Sequence, residues 1–113
     1  MQDIPVWENI DFEQFHNEIV PLNKPALIKS LVSDWPSVTA AKQSSDSVVK
    51  LLKKFDSDAV ISALVGKPDI NGRFFYSDDL TDLNFQRAQV TLSIGLERLL
   101  AIQDDPNPHA IAL

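Results

Sequence analysis

"AVISALVG", residues 59–66, is the stretch whose reading decides the fold. It is a short, β-branched run with no alternation of apolar and polar positions, which predicts a strand buried on both faces. "KPDING", residues 67–72, follows it with turn chemistry, since Asn71-Gly72 suits positive φ. "RFFYS" then reads as a returning strand. Upstream, "SSDSVVKLLKKFD", residues 44–56, places Val48, Leu51, Leu52 and Phe55 at i, i+3, i+4 and i+7, the spacing of an amphipathic helix with Ser45 as its N-cap. Downstream, "TLSIGLERLLAIQ", residues 91–103, is a second such helix. It carries Leu92, Leu96, Leu99 and Leu100 on one face, has Thr91 as a cap, and is weakened locally by Gly95. After Pro106 and Pro108, "HAIAL", residues 109–113, begins another buried strand.

The first third of the chain extends the same mixture. "NIDFEQFHNEIVP", residues 9–21, predicts a helix that starts at Asp11. Gln14 is the return partner of a capping box, Ile10 staples against Phe15, and Pro21 ends the helix. "KPALIKSLVSDWP" predicts a strand from Ala26 to Val32, opened by Pro25 and closed by Ser33-Asp34. "SVTAAKQ" allows at most two helical turns. No repeat, linker or low-complexity tract divides the sequence, so residues 1–113 read as a single α+β unit.

Composition narrows the function classes. The 113 residues are 44% hydrophobic and 23% charged with only 3 Gly, the profile of a globular unit. Lys+Arg 10 against Asp+Glu 16 gives a net charge of -6, which repels phosphate backbones, so no nucleic-acid partner is expected. Lys50, Lys53 and Lys54 cluster, but at helical spacing between apolar residues, as the solvated face of a helix. The absence of Cys excludes a disulfide framework, a thiolate zinc site and a cysteine nucleophile. "MQDIPVWENIDF" has neither a basic nor an apolar leader region, and no run approaches the roughly 18 apolar residues of a membrane span. The expectation is a cytoplasmic protein with no membrane partner.

Several residues invite a chemical reading. His16 and Glu18 have the spacing His-x-Glu, and with His109 they supply the two histidines and one carboxylate of a non-haem iron facial triad. That dyad grips one metal on a strand, where i and i+2 share a face, whereas here it falls inside a capped helix, where the two side chains diverge by about 200°. His16 instead shares the face of Phe12, Phe15 and Ile19, as a packed, hydrogen-bonded histidine. Asp78, Asp79 and Asp82 lack the spaced ligands, central Gly and terminal Glu of a calcium loop, and read as a solvated turn with capping acids. The serines at 44–47 form no nucleophile elbow, and no Gly-rich loop cradles phosphate. Trp7 and Trp35, beside prolines, read as packing anchors. No catalytic, cofactor-binding or metal residue is assigned on these grounds.

The order of segments carries a resemblance. An early helix, "KPALIKSLVSDWPSV", a Lys-rich helix, a strand, "GRFFYSDDLTDLNFQRAQVTLSIGLERLL" and a strand after "DPNPHAIAL" together resemble the N-terminal region of the cupin-like, JmjC-type iron(II)- and 2-oxoglutarate-dependent oxygenases. The branch resembled holds the asparaginyl hydroxylase of hypoxia-inducible factor and its bacterial relatives. The most specific parts are Asp34-Trp35-Pro36 after a strand, and Phe75-Tyr76 with Asn84-Phe85 and Arg87.

The resemblance implies a double-stranded β-helix, or jelly roll, of which this chain holds the N-terminal helices and strands, an incomplete barrel. It implies iron(II) and 2-oxoglutarate for a full-length parent, held by a His-x-Asp/Glu dyad, a later His, a basic residue and hydroxyls. No residue of this chain matches those positions, so the chain alone is expected to be inactive. Its expected partners are the missing C-terminal part of the same domain and a second copy paired through the open strand edge at residues 109–113. The alternatives are a non-enzymatic interaction module and a small metal-binding protein using His16, Glu18 and His109.

Overall fold

Contacts within the chain gather into two units, one reaching to Thr39 and one running from Ala40 to Leu113. The computed structural model describes residues 3–113. In the first unit, β1 (Val6–Glu8) and β2 (Leu27–Lys29) pair in parallel, with Val6 opposite Leu27 and Glu8 opposite Lys29. Parallel neighbours need a crossover between them, and a helical segment supplies it. Its start follows the sequence: the Asp11 carboxylate accepts the Gln14 N–H at 2.7 Å, and Gln14 Oε1 accepts the Asp11 N–H at 3.3 Å, a complete capping box.

The rest of this segment departs from expectation. After α1 (Phe12–Gln14) the backbone widens into a π turn over Phe15–Ile19, then tightens to a 3-10 turn over Val20–Leu22. Pro21 therefore does not end the helix. It occupies the start of the 3-10 turn, where no N–H is needed, and the chain leaves at Asn23 with φ 47. The strand expected over 26–32 is also shorter. Ser30 takes φ 61 and breaks the extended run, and the Ser33 N–H and hydroxyl both donate to the Ser30 carbonyl, at 3.3 and 3.0 Å. α2 (Pro36–Gln43), two turns long, spans the boundary between the units.

The second unit is an antiparallel sheet backed by helices. α3 (Ser45–Lys53) starts one residue earlier than the spacing suggests, because Ser44, not Ser45, is extended and accepts the Ser47 N–H at 3.0 Å. Its buried residue is Val49, and Phe55 lies beyond its end, exposed. β3 (Val60–Gly66) is the central strand, flanked by β4 (Phe85–Thr91) over its whole length and by β5 (Ala110–Ala112) over Leu64–Gly66, in the order β4-β3-β5. α4 (Leu92–Ile102) follows β4 directly. Thr91 caps it, and its helix lies against β3, β4 and α3.

Pleating sends Ile61, Ala63 and Val65 to one face and Val60, Ser62 and Leu64 to the other. Ala63 is 2% exposed and Leu96, on α4, 6%; Val60 is 66% exposed. The sheet thus has one face covered by helix and one face open. The strand at 59–66 is central, but it is not buried on both faces as expected.

"RFFYS" is the other correction. Residues 73–75 are irregular, and Tyr76 makes only an isolated bridge to Leu83. The strand that returns along β3 is β4, which the sequence reading left unassigned. The α+β class stands, and the strands close no barrel among the described residues. No helix among these residues is long and apolar enough to cross a membrane.

Candidate functional site

The long connection from β3 to β4, residues 67–84, folds over the end of the sheet and encloses a cleft of about 670 Å³. Gly66, Ile70, Tyr76, Asn84 and His109 line it, together with Lys67, Asp69 and Asp78. That volume falls within the range of small-ligand sites, roughly 300–1,000 Å³, but the lining is more polar than such sites usually are, with Lys67, Asp69, Ser77, Asp78, Asn84 and Gln86 among its residues.

Local bonding explains why the cleft holds its shape. Asn71, with φ 49, and Gly72, with φ 75, turn the chain after a 3-10 turn over Pro68–Ile70, as their identities suggested. Ile70 folds back over Gly66, where a β-carbon would overlap the tip of its side chain and push it aside. Asn84 then clamps the returning chain. Its Oδ1 accepts the Phe75 N–H at 2.8 Å, its Nδ2 donates to the Arg73 carbonyl at 2.8 Å, and its own N–H donates to the Phe75 carbonyl at 2.9 Å. The side chain thereby does for residues 73–75 what a neighbouring strand would have done, and those residues need no ladder. Phe74 packs edge-on against Phe85 and Phe75 against Tyr76, each with centroids 5.3 Å apart.

The tip of the connection is a network of serine, threonine and aspartate. Asp79 Oδ1 accepts the Ser77 hydroxyl at 2.6 Å and the Thr81 hydroxyl and N–H at 2.8 and 3.2 Å. These donors, the Ser77 hydroxyl foremost, hold the Asp79 carboxyl below the ordinary aspartate value. Asp82 Oδ1 accepts the Leu83 N–H at 2.7 Å. Asp79 and Asp82 thus bond within the turn they belong to.

The residues weighed for iron are divided between the two units. His16 lies in the π turn, exposed, stacked on Phe12 at 5.0 Å; the buried hydrogen bond expected of it is not formed among the described residues. Glu18 lies two residues on in the same turn of the first unit, and His109 precedes β5 in the second. Nowhere among the described residues do three His, Cys, Asp or Glu gather to hold a metal. The residues present therefore do not fit an iron centre. Trp7 sits on β1 opposite Ile28 with its indole N–H buried and unpaired among the described residues, and Trp35 is exposed at the turn before α2.

Lys67, Asp69 and Ile70 are the cleft residues that sequence reasoning passed over. Their one sequence signal was the turn chemistry of "KPDING", which fixes a backbone shape without announcing what the shape encloses.

A family model described as a cupin-like domain matches residues 12–113. No curated protein and no solved structure matches the chain.

Proposed function

The chain belongs to the cupin-like domain family, and from that premise we propose that it forms the opening scaffold of an iron(II)- and 2-oxoglutarate-dependent oxygenase of the JmjC type. In this reading the protein falls in the branch of the asparaginyl hydroxylases and acts on a protein side chain or a small molecule. The supporting observation is the sheet β4-β3-β5, covered by helix on one face and open on the other, with a cleft at its end. Jelly rolls are built from two such antiparallel sheets packed face to face, so the open face of Ser62, Leu64 and Arg87 is where the second sheet would lie. The described residues buttress that barrel and shape its entrance, and the groups that hold iron(II) and 2-oxoglutarate lie outside them.

Two measurements test this. The reading frame beyond Leu113 is expected to contain His-x-Asp or His-x-Glu followed at a distance by a second His, and a frame without them overturns the assignment. The 113-residue chain, incubated with iron(II), oxygen and 2-oxoglutarate, is expected to form no succinate. Turnover by this chain would place the ligands within it and overturn the scaffold role.

A second reading rests on β5, which pairs with β3 along one edge only among the described residues. A free edge is a template for another strand, so the chain would act as an interaction module that pairs with a second copy. The oligomeric state distinguishes the two.

A further inference from the structure

The turn at the cleft rim carries a reactive pair. Asn71 and Gly72 are both exposed, a β-carbon at Gly72 would meet nothing within 4 Å, and the Gly72 N–H makes no hydrogen bond among the described residues. We propose that Asn71-Gly72 is a site of spontaneous covalent modification that alters one wall of the cleft.

The chemistry needs only base and water. The Gly72 amide nitrogen gives its proton to hydroxide and attacks Asn71 Cγ; the new C–N bond forms as the Cγ–Nδ2 bond breaks, and Nδ2 takes a proton from water, returning hydroxide, and leaves as ammonia. The product is a five-membered succinimide. Water then adds at one of its two carbonyls, and ring opening gives either aspartate at 71 or isoaspartate, in which the main chain runs through the former side chain. No redox partner, metal or cofactor enters the balance.

The molecule supplies its own controls. Of the six asparagines, the other five precede Ile10, Glu18, Lys24, Phe85 and Pro108. Four of those neighbours crowd the attacking nitrogen with a side chain and the last has no N–H; glycine alone leaves it bare. The turn also restrains the reaction. Asn71 sits at φ 49, ψ 40, its Nδ2 donates to the Asp69 carbonyl at 3.3 Å, and the Arg73 N–H closes the loop onto the Ile70 carbonyl at 2.9 Å. Ring closure requires this left-handed turn to open, so its rate reports the opening of the rim.

The products matter because of where they fall. Either one adds a negative charge two residues from Asp69, which lines the cleft, and next to Ile70, which also does. Isoaspartate also lengthens the main chain by one carbon immediately after Ile70, the residue seated over Gly66.

The test is incubation of the full chain at mildly alkaline pH, with peptide mapping by mass spectrometry over time. The peptide spanning residues 68–73 is expected to gain the mass of an NH2-to-OH exchange and to split into two isomers ahead of every other asparagine peptide. In denaturant the same peptide should convert faster, and Asn71→Gln should abolish both products while leaving the circular dichroism unchanged. In the isoaspartate fraction, exchange protection of the Arg73 amide should be lost. An Asn71 peptide that stays intact in the native chain, or lags behind another asparagine, overturns the proposal.

Discussion

Asp56, just beyond α3, bonds both its own turn and the start of α4. One carboxylate oxygen accepts the Asp58 N–H at 2.9 Å and the other the Ser93 N–H at 2.8 Å, so it satisfies an orphan donor of α4 that Thr91 does not reach. The Ser93 hydroxyl and N–H, in that order, hold its carboxyl below the ordinary value of 3.8. A carboxylate whose folded pKa is depressed contributes stability that is present above the unfolded pKa and lost as pH falls through the folded one. Asp79 behaves likewise. Acid unfolding is therefore expected to set in below about pH 4, and Asp56→Asn is expected to lower the melting temperature at neutral pH while flattening its fall in acid. Thermal melts across that range check both signs. Leu80 gives the opposite case: a branched residue, 68% exposed, held at φ 58 in the turn tip. Left-handed backbone costs an L-residue roughly 1–2 kcal/mol, so Leu80→Gly, which removes that cost and adds unfolded-state entropy, is expected to stabilise by up to about 1 kcal/mol in urea denaturation.

Among elements, α4 lies against α3, β4 and β3 and buries Leu96. Leu96→Ala is expected to cost about 2–4 kcal/mol by urea denaturation, at an unchanged m-value. α4 was legible from its sequence because its signals are local: a 3.6-residue stripe and a Thr cap lie within a few residues of one another. The Asp11 capping box and the Asn71-Gly72 turn were legible for the same reason. β2 was legible too, inside the strand expected over 26–32, but β1 was not, because three residues paired in parallel across the intervening helix leave no periodic trace. β4 escaped because "FQRAQVT" turns Arg87 and Gln89 to an open face and so lacks a hydrophobic run, whereas the aromatics of "RFFYS" imitate a strand whose hydrogen bonds in fact go to Asn84. The cleft was hidden for a related reason: Gly66, Ile70 and Asn84 meet only once the connection has folded. Asn84→Ala leaves the Phe75 N–H and the Arg73 carbonyl without their partner, and is expected to loosen residues 73–76 without melting the sheet. Faster amide exchange confined to that stretch, with β3 and β4 still protected, is the outcome that checks it.

For the molecule as a whole, the balance lies between a net charge of -6 and the open edge of β5. Charge of one sign keeps copies apart, at a range that salt shortens from about 30 Å at 0.01 M to about 8 Å at 0.15 M. The edge of β5 favours the opposite outcome: Ala110, Ile111 and Ala112 carry no charge and no Pro, the usual devices that blunt an edge. The segment Ala-Ile-Ala also reads the same in both directions, so an antiparallel partner centred on Ile111 would set each Ala110 opposite the other copy's Ala112, the self-complementarity that a two-fold interface requires. Two copies joined this way would form one six-stranded sheet of order β4-β3-β5-β5-β3-β4. Dimerisation is accordingly expected to strengthen with salt, as repulsion is screened, and analytical ultracentrifugation at micromolar concentration over a salt series reads it directly. Ala112→Lys places a charge on the edge from the open face that Ala112 shares with Leu64, where the side chain meets solvent, and is expected to return the chain to monomer without loss of melting temperature. A wild-type chain that remains monomeric at every salt concentration, with the amides of 110–112 protected only as their bonds to β3 require, would leave the edge to a strand of the same domain and favour the oxygenase scaffold.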